Sequence, residues 1–262
     1  KQYLAFLDRL VHGNFGRSFV FNMPVFDLIL SRLPATLELT LAAVLGAALI
    51  GIPLGMFAGY RPDSFAAKLL MGLSILGFSV PTFWIGLIFI LIFAVHLGWL
   101  PAGGRGDTVP VLGVAWSFIT LNGLKHLFLP ALTLSLFRFA LMIRLARAGM
   151  REAVLSDYVR FARAQGLSES KVIFGHVLKN ISIPIVTVFG LELAATLAFA
   201  VVTETIFSWP GLGKLIIDSI QSLDRPVMVA YLMLVAFLFI MINFFVDIAY
   251  AALDPRARLG RA

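Results

Sequence analysis

Arg138 and Glu192 are the two residues whose position asks most of the surrounding chain. Each stands about 11 residues inside a long apolar stretch, counted from opposite boundaries. At the rise of an α-helix this puts both about 16 Å deep, near the midplane of a bilayer. A charge at that depth costs about 3 kcal/mol or more unless it is paired or wetted. The two are therefore expected to face a common polar interior, either as a salt bridge that locks two helices or as lining of a pathway. Glu204 joins them as a third intramembrane polar candidate, nearer a span end together with Asn243 and Asp247, where interfacial water is the expected solvent.

A second group holds the chemistry of docking rather than of bond-making. Asp157, Tyr158, Arg160, Phe161, Ala162 and Arg163, closed by Gly166, set aromatic anchors among charges. Other reaction chemistries are excluded. The chain has no cysteine, and its four histidines (His12, His96, His126, His176) are far apart. It contains no H-E-x-x-H, no G-x-S-x-G and no Asp pair within the spans, so neither a metal site nor a cofactor is expected. Gly213-Lys214 is the nearest approach to a P-loop. It lacks both the following Ser/Thr and the Gly five residues before Gly213.

The elements that must carry these residues are membrane helices. The 262 residues are 60% hydrophobic and only 13% charged, with a mean hydropathy of +0.95. A soluble domain of this size could not hide so much apolar side chain. Runs of about 20 apolar residues predict five spans, at 37–60, 69–97, 127–145, 181–207 and 227–253. Gly51, Gly55 and Gly59, and likewise Gly190, Ala194 and Ala198, form small-residue stripes for close helix packing, within the chain or across a homodimer seam. Pro53, Pro81, Pro130 and Pro184 are expected to bend spans or end them.

Charge sets the orientation. The loop between spans three and four carries Arg144, Arg147, Arg151, Arg160, Arg163, Lys171 and Lys179. The tail carries Arg256, Arg258 and Arg261, and the turn after the first span Arg61 and Lys68. Alternation puts all three on one side, which the positive-inside rule makes cytoplasmic. Residues 1–36 then fall outside, although Lys1, Arg9, Arg17 and Arg32 run against the rule locally. An outside N-terminus and a first residue Lys1 lead to the expectation of a sixth, upstream span. The reading is an all-α polytopic membrane protein: extracytoplasmic segment 1–36, transmembrane domain 37–253 with a cytoplasmic loop 146–180, and cytoplasmic tail 254–262.

Within that loop, Ser156 is placed to cap a short helix from Asp157, and Gly166 to end it in a left-handed turn. Ser168 is placed to cap a second helix through Asn180, with Val172, Ile173, Val177, Leu178 and Ile181 at helical spacing. Exposed aromatics beside basic residues fit two readings. One is a grip on anionic lipid headgroups. The other is a helix inserted into the groove of a cytoplasmic partner. Tethering between two spans excludes a nucleic-acid reader.

The stretch "DYVRFARAQGLSESKVIFGHVLKNISIPIVT" resembles the cytoplasmic loop of permease subunits of bacterial ABC importers. It is closest to the peptide/nickel branch, whose loops read Y-V-R-x-A-R-A-x-G-L-S followed by H-x-L-x-N-x-x-x-P. The general permease pattern begins Glu-Ala-Ala. Here Arg160, Phe161 and Ala162 stand in those places, so only Ala162 and Gly166 match, a departure usual in the peptide branch. "GNFGRSF" from Gly13 (with Asn14 for the usual Asp), "LPATLELTL" from Leu33, "VPTFWIGL" from Val80, "LGWLPAGGR" from Leu97 and "ETIFSWPGLGKL" from Glu204 resemble the branch in order along the whole chain.

That resemblance implies an ABC importer permease fold of six spans in the bacterial inner membrane. It implies half of a heterodimeric pore, with a second homologous permease, two cytoplasmic ATPases and an extracytoplasmic substrate-binding protein as partners. The chain itself is then not an enzyme. The helix at Asp157–Gly166 becomes the mechanical link, seated by Tyr158, Phe161 and Ala162, while Trp209, Pro210 and Gly211 form part of the external mouth. Peptides are the implied cargo, with nickel chelates or glutathione as alternatives. A passive channel or receptor is the competing class.

Overall fold

The protein is described here by a computed structural model covering residues 13–253. The first part of the 1–36 segment, and the tail with Arg256, Arg258 and Arg261, lie outside the described residues. Helix α1 spans Val25–Tyr60 and begins well before the apolar stretch expected at Leu37. Pro24 precedes it, and Asp27 in its first turn complements the positive end of the helix. Helix α2 (Phe65–Ser79) is capped by Ser64, whose side chain accepts from the Ala67 amide.

The stretch expected as one span at 69–97 is divided. Val80 is extended, at φ −104° and ψ 129°, because Pro81 disfavours helical geometry in the residue before it. Helix α3 (Thr82–Phe89) follows and widens into π-helical turns over Ile90–His96. A hairpin of β1 (Val109–Val111) and β2 (Val114–Trp116) comes next. Its turn residues Leu112 and Gly113 have φ of 52° and 80°, the geometry that matches the twist of paired strands.

Helix α4 runs unbroken over Leu121–Leu155 with Pro130 inside it. Then come α5 (Asp157–Ala164), α6 (Glu169–Lys171), π-helical turns at Val172–Val177 and α7 (Leu178–Phe199). The chain closes with α8 (Val201–Ile206), α9 (Leu212–Gln221) and α10 (Arg225–Leu253). Among the described residues, Val25–Tyr60, Leu121–Leu155 and Arg225–Ala249 are long and apolar enough to cross a membrane unaided. Glu169–Ser182 and Pro184–Phe199 qualify together, joined at a 51° bend at the expected Pro184.

The chain forms two compact units, to each of which α1, α4, α7 and α10 contribute a part. One unit holds residues 1–42, 83–133 and 195–240. Its core joins Val25, Leu28 and Ile29 of α1 to Leu212, Leu215 and Ile216 of α9 and Val227, Ala230 and Tyr231 of α10. The other holds residues 43–82, 134–194 and 241–262. Its core gathers Met56, Ala146, Met150, Val159, Ala162, Val172, Val177 and Ile181. There the glycine stripe of α1 meets α4. A Cβ at Gly51 would stand 2.9 Å from the Met142 Cβ, and one at Gly59 only 2.7 Å from the Arg147 carbonyl oxygen. Gly190 of the second stripe faces Val246, so both stripes pack within the chain.

Candidate functional site

Helix α5 has the bounds expected for it, and its ends show why. Ser156 is extended at the N-cap, although its side chain makes no cap and its hydroxyl donates to the Ala153 carbonyl instead. At the other end Gly166 has φ 79°, the left-handed conformation that side chains other than glycine's rarely adopt. The Gly166 amide donates to Arg163 O at 2.9 Å and the Leu167 amide to Ala162 O at 3.3 Å. These two bonds make a Schellman closure, with Leu167 packing on the core that contains Ala162.

Two faces of α5 separate cleanly. Val159 and Ala162, three residues apart, are buried in the unit core. Phe161 is 64% and Tyr158 38% exposed. Asp157 and Arg160 form an exposed pair at 3.6 Å, a contact worth little on a surface. Ala162, expected to help seat the helix on a partner, turns its methyl to the chain's own core instead, and the aromatic side chains that face outward are Phe161 and Tyr158. The Tyr158 hydroxyl also accepts from Asn180 Nδ2 at 3.1 Å.

Arg163 closes the loop. Its Nε lies 2.8 Å from Glu169 Oε1, and the Tyr60 hydroxyl donates to Glu169 Oε2 at 3.3 Å. The hydrogen bond from Arg163, and then its charge, hold the Glu169 carboxyl below its ordinary value. Ser168 stands at the N-cap of α6 without a side-chain cap bond. The second loop helix does not stop at Asn180. It passes through the π turns into α7, and this puts Val172 and Val177, five residues apart, on one buried face.

Within the same unit Arg138 Nε lies 3.4 Å from Glu192 Oε2, with both side chains largely buried. A second guanidinium nitrogen of Arg138 donates to Leu134 O at 2.6 Å. Equal depth on two helices has thus become contact.

The other unit holds a polar knot that the sequence did not disclose. Glu204 is fully buried rather than solvated at a span end. Thr36 Oγ1 donates to Glu204 Oε1 at 2.6 Å and accepts from the Leu212 amide at 2.7 Å, while the Lys214 amide donates to Glu204 Oε2 at 3.0 Å. Glu204 and Thr36 thereby cap α9 from outside it. A Cβ at Gly213 would stand 3.0 Å from Glu204 Oε2, so the glycine makes room for the carboxylate. Trp209 is also wholly buried and donates from Nε1 to Ala35 O at 2.8 Å. Of Trp209, Pro210 and Gly211, only Pro210 retains exposed surface.

One turn along α1, Glu38 pairs with Arg105 at 2.8 Å and accepts from the Ser117 and Phe118 amides at 2.5 and 2.8 Å. Glu38 lies just inside the first expected span and does not stand out there from an ordinary interfacial carboxylate. The signal available was an ionisable residue two positions from Thr36 in the same stretch.

Three of the motif stretches therefore converge on one place. "LPATLELTL" supplies Ala35, Thr36 and Glu38, "LGWLPAGGR" supplies Arg105, and "ETIFSWPGLGKL" supplies Glu204, Trp209 and the start of α9. The Gly104 amide, donating to Phe207 O at 2.8 Å, joins the last two. A family model described as binding-protein-dependent transport system inner membrane component matches residues 51–259. The chain belongs to that family. The resemblance to ABC importer permeases, the polytopic α-helical class and the permease function are all borne out.

Relatives match along the whole chain. A di/tripeptide transport system permease protein, DppB, of Pseudomonas aeruginosa (strain UCBPP-PA14) is 43% identical over all of this chain and 81% of its own length. An oligopeptide transport system permease protein, AppB, of Bacillus subtilis (strain 168) is 41% identical over 97% of this chain and 79% of its own. The dipeptide permease DppB of Escherichia coli (strain K12) is 38% identical over 98% and 80%. Among solved structures, an inward-facing form of the MetNI methionine ABC transporter matches with a TM-score of 0.66. It covers 87% of this chain and 96% of that one at 16% identity. An amino acid ABC transporter matches with a TM-score of 0.61 at the same identity, covering 86% and 94%. Both show the fold. The family member is a multi-pass inner-membrane component, and such components work with ATPase and substrate-binding partners.

Proposed function

We propose that this chain forms half of the translocation pathway of an ATP-driven importer of di- and oligopeptides. A second homologous permease lies beside it, two cytoplasmic ATPases sit below its basic loop and a substrate-binding protein delivers cargo from outside. The peptide cargo rests on the three relatives whose names carry di/tripeptide, dipeptide or oligopeptide transport. In this reading the C-terminus is cytoplasmic, the domain 37–253 lies in the membrane and residues 1–36 lie outside, supported by the basic residues of loop 146–180 and the tail. ATP is hydrolysed by the partners. Gly213-Lys214 has no P-loop around it, and the Glu204 carboxylate already occupies the amides of that helix start.

The observation that carries the reading is the two-sidedness of α5. Its inner face is fixed in one core with α4 and the start of α7, while Phe161 and Tyr158 stand outside among Arg160, Arg163 and Asp157. A force applied to the aromatic face by a closing ATPase pair moves α4 and α7 with it. These are the two helices that carry Arg138 and Glu192. Alternating access is then driven from a rigid cytoplasmic handle, with the Arg138–Glu192 pair beside the path and Trp209–Gly211 shaping the external mouth through its backbone.

The test is a mild-detergent pull-down of the tagged full-length chain from its own membrane, with mass spectrometry and an ATPase assay. Recovery of a second permease, ATPases and peptide-stimulated hydrolysis is the expected result. Recovery of the chain alone, with no hydrolysis, moves the assignment to a passive channel. A co-purifying binding protein that prefers nickel chelates or glutathione overturns the peptide cargo only.

A further inference from the structure

An apolar groove of about 300 Å³ opens beside the basic loop, at the low end of small-molecule sites. Met56, Phe57 and Tyr60 of α1, Met150 of α4, and Ile173 and Phe174 of the π turns are among its walls. The Tyr60 hydroxyl is already engaged by Glu169, so the lining offers a ligand almost nothing but carbon. Phe174, 68% exposed, is shared with a shallower hollow that also takes in Ser170, Lys171 and His176. An apolar trough thus adjoins a shallower hollow that Lys171 borders, across a single aromatic ring.

Position and charge select the occupant. The trough follows the last turns of a helix apolar enough to cross the membrane, and Arg61 begins the turn just beyond Tyr60. It therefore lies where acyl chain gives way to headgroup. Lys171 supplies the positive charge at that hollow. Glu169, two residues before Lys171, is already paired with Arg163. Basic pockets between membrane helices at this level suit phosphate headgroups.

We propose that the groove seats one acyl chain of an anionic phospholipid, with its phosphate held at the Lys171 side. Bound there, the lipid spans α1, α4 and the loop helices at once and stiffens the mount of α5. Phosphatidylglycerol and phosphatidylcholine carrying a diazirine at the acyl terminus are the probes. They are added to membranes containing the full-length chain with its partners, and labelled peptides are mapped by mass spectrometry. Phosphatidylglycerol is expected to label peptides around Met56–Tyr60 and Ile173–Leu178 at least about fivefold over phosphatidylcholine, the factor one basic residue supplies near an anionic surface. Ile173→Trp, which fills the trough, should abolish that label. Lys171→Glu should bring the two lipids level. Both variants should keep labelling on the exposed face of α10 at Phe237 and Ile240, which reports insertion. Equal labelling by the two lipids in the unmodified chain overturns the proposal. So does label confined to α10, or a groove protected whenever the ATPases are bound. The labelling needs neither substrate nor ATP, so its result is independent of the transport reading.

Discussion

Arg138 and Glu192 each carry a charge into the hydrocarbon, and each makes the other tolerable. Breaking a buried pair leaves an uncompensated charge, typically at about 3–5 kcal/mol. Arg138→Glu or Glu192→Arg alone should sharply lower the folded, inserted fraction in a thermal-aggregation assay, and the two together should recover most of it. A double variant no better than the singles contradicts the pairing. Equal depth made this contact legible in the sequence, because helical rise converts residue number into position. Glu204, Glu38 and Thr36 were not legible. Their partners are backbone amides and side chains on other elements, which no spacing rule announces. Glu204→Ala should loosen α9 by about 1–3 kcal/mol, the cost of unsatisfied buried donors. The variant should show accelerated proteolysis near Leu212, whereas a solvated residue would leave the rate unchanged. The lowered carboxyl of Glu169 works in one direction only. Its pair with Arg163 contributes fully above the ordinary carboxylate range and is lost as pH falls through the lowered value. Coupling of transport to ATP hydrolysis should therefore be level between about pH 6 and 8, and a fall within that window would exclude this pair as the clasp of the loop.

Helix α5 is defined by its ends, and the Gly166 closure is the part that tolerates least. A β-branched residue in that conformation costs about 1–2 kcal/mol and would unwind the exit turn. Gly166→Val should leave insertion intact while ATPase activity is no longer matched by uptake, and Gly166→Asn, which tolerates the left-handed region, should be nearly normal. Normal uptake in the valine variant would sink the role given to the turn. Ser156 and Gly166 made this helix readable because caps are local chemistry. The helix expected through Asn180 and the shared face of Val172 and Val177 were readable. The π turns between them and the run past Asn180 into α7 were not, because helical periodicity does not announce the extra residue a π turn inserts. The division of the stretch 69–97 follows from Val80 before Pro81, whereas Pro130 lies inside an unbroken α4. The hairpin at Val109–Trp116 escaped notice because Pro110 and a Leu-Gly turn give little strand signal.

At the scale of the whole chain, the resemblance of separate motifs acquires a physical cause. Stretches that look like independent signatures are the contributors to one buried knot in one unit. The basic loop, by contrast, is built into the core of the other unit. The stretches that made the family legible therefore lie in both units, three at the knot and one in the basic loop. The inward face of Ala162 was not legible, since a helical wheel cannot say which partly apolar side meets its own chain. The central claim is that α5 presents Phe161 to an ATPase. Because the chain contains no cysteine, Phe161→Cys introduces a single reactive thiol. Treated in its own membrane with a short reagent that joins this thiol to a photo-activated diazirine, which captures any neighbouring residue, this variant should cross-link to the ATPase subunit, in an amount that changes when ATP is added. Thiol that reacts freely yet never captures an ATPase, with the chain correctly inserted, would contradict the account.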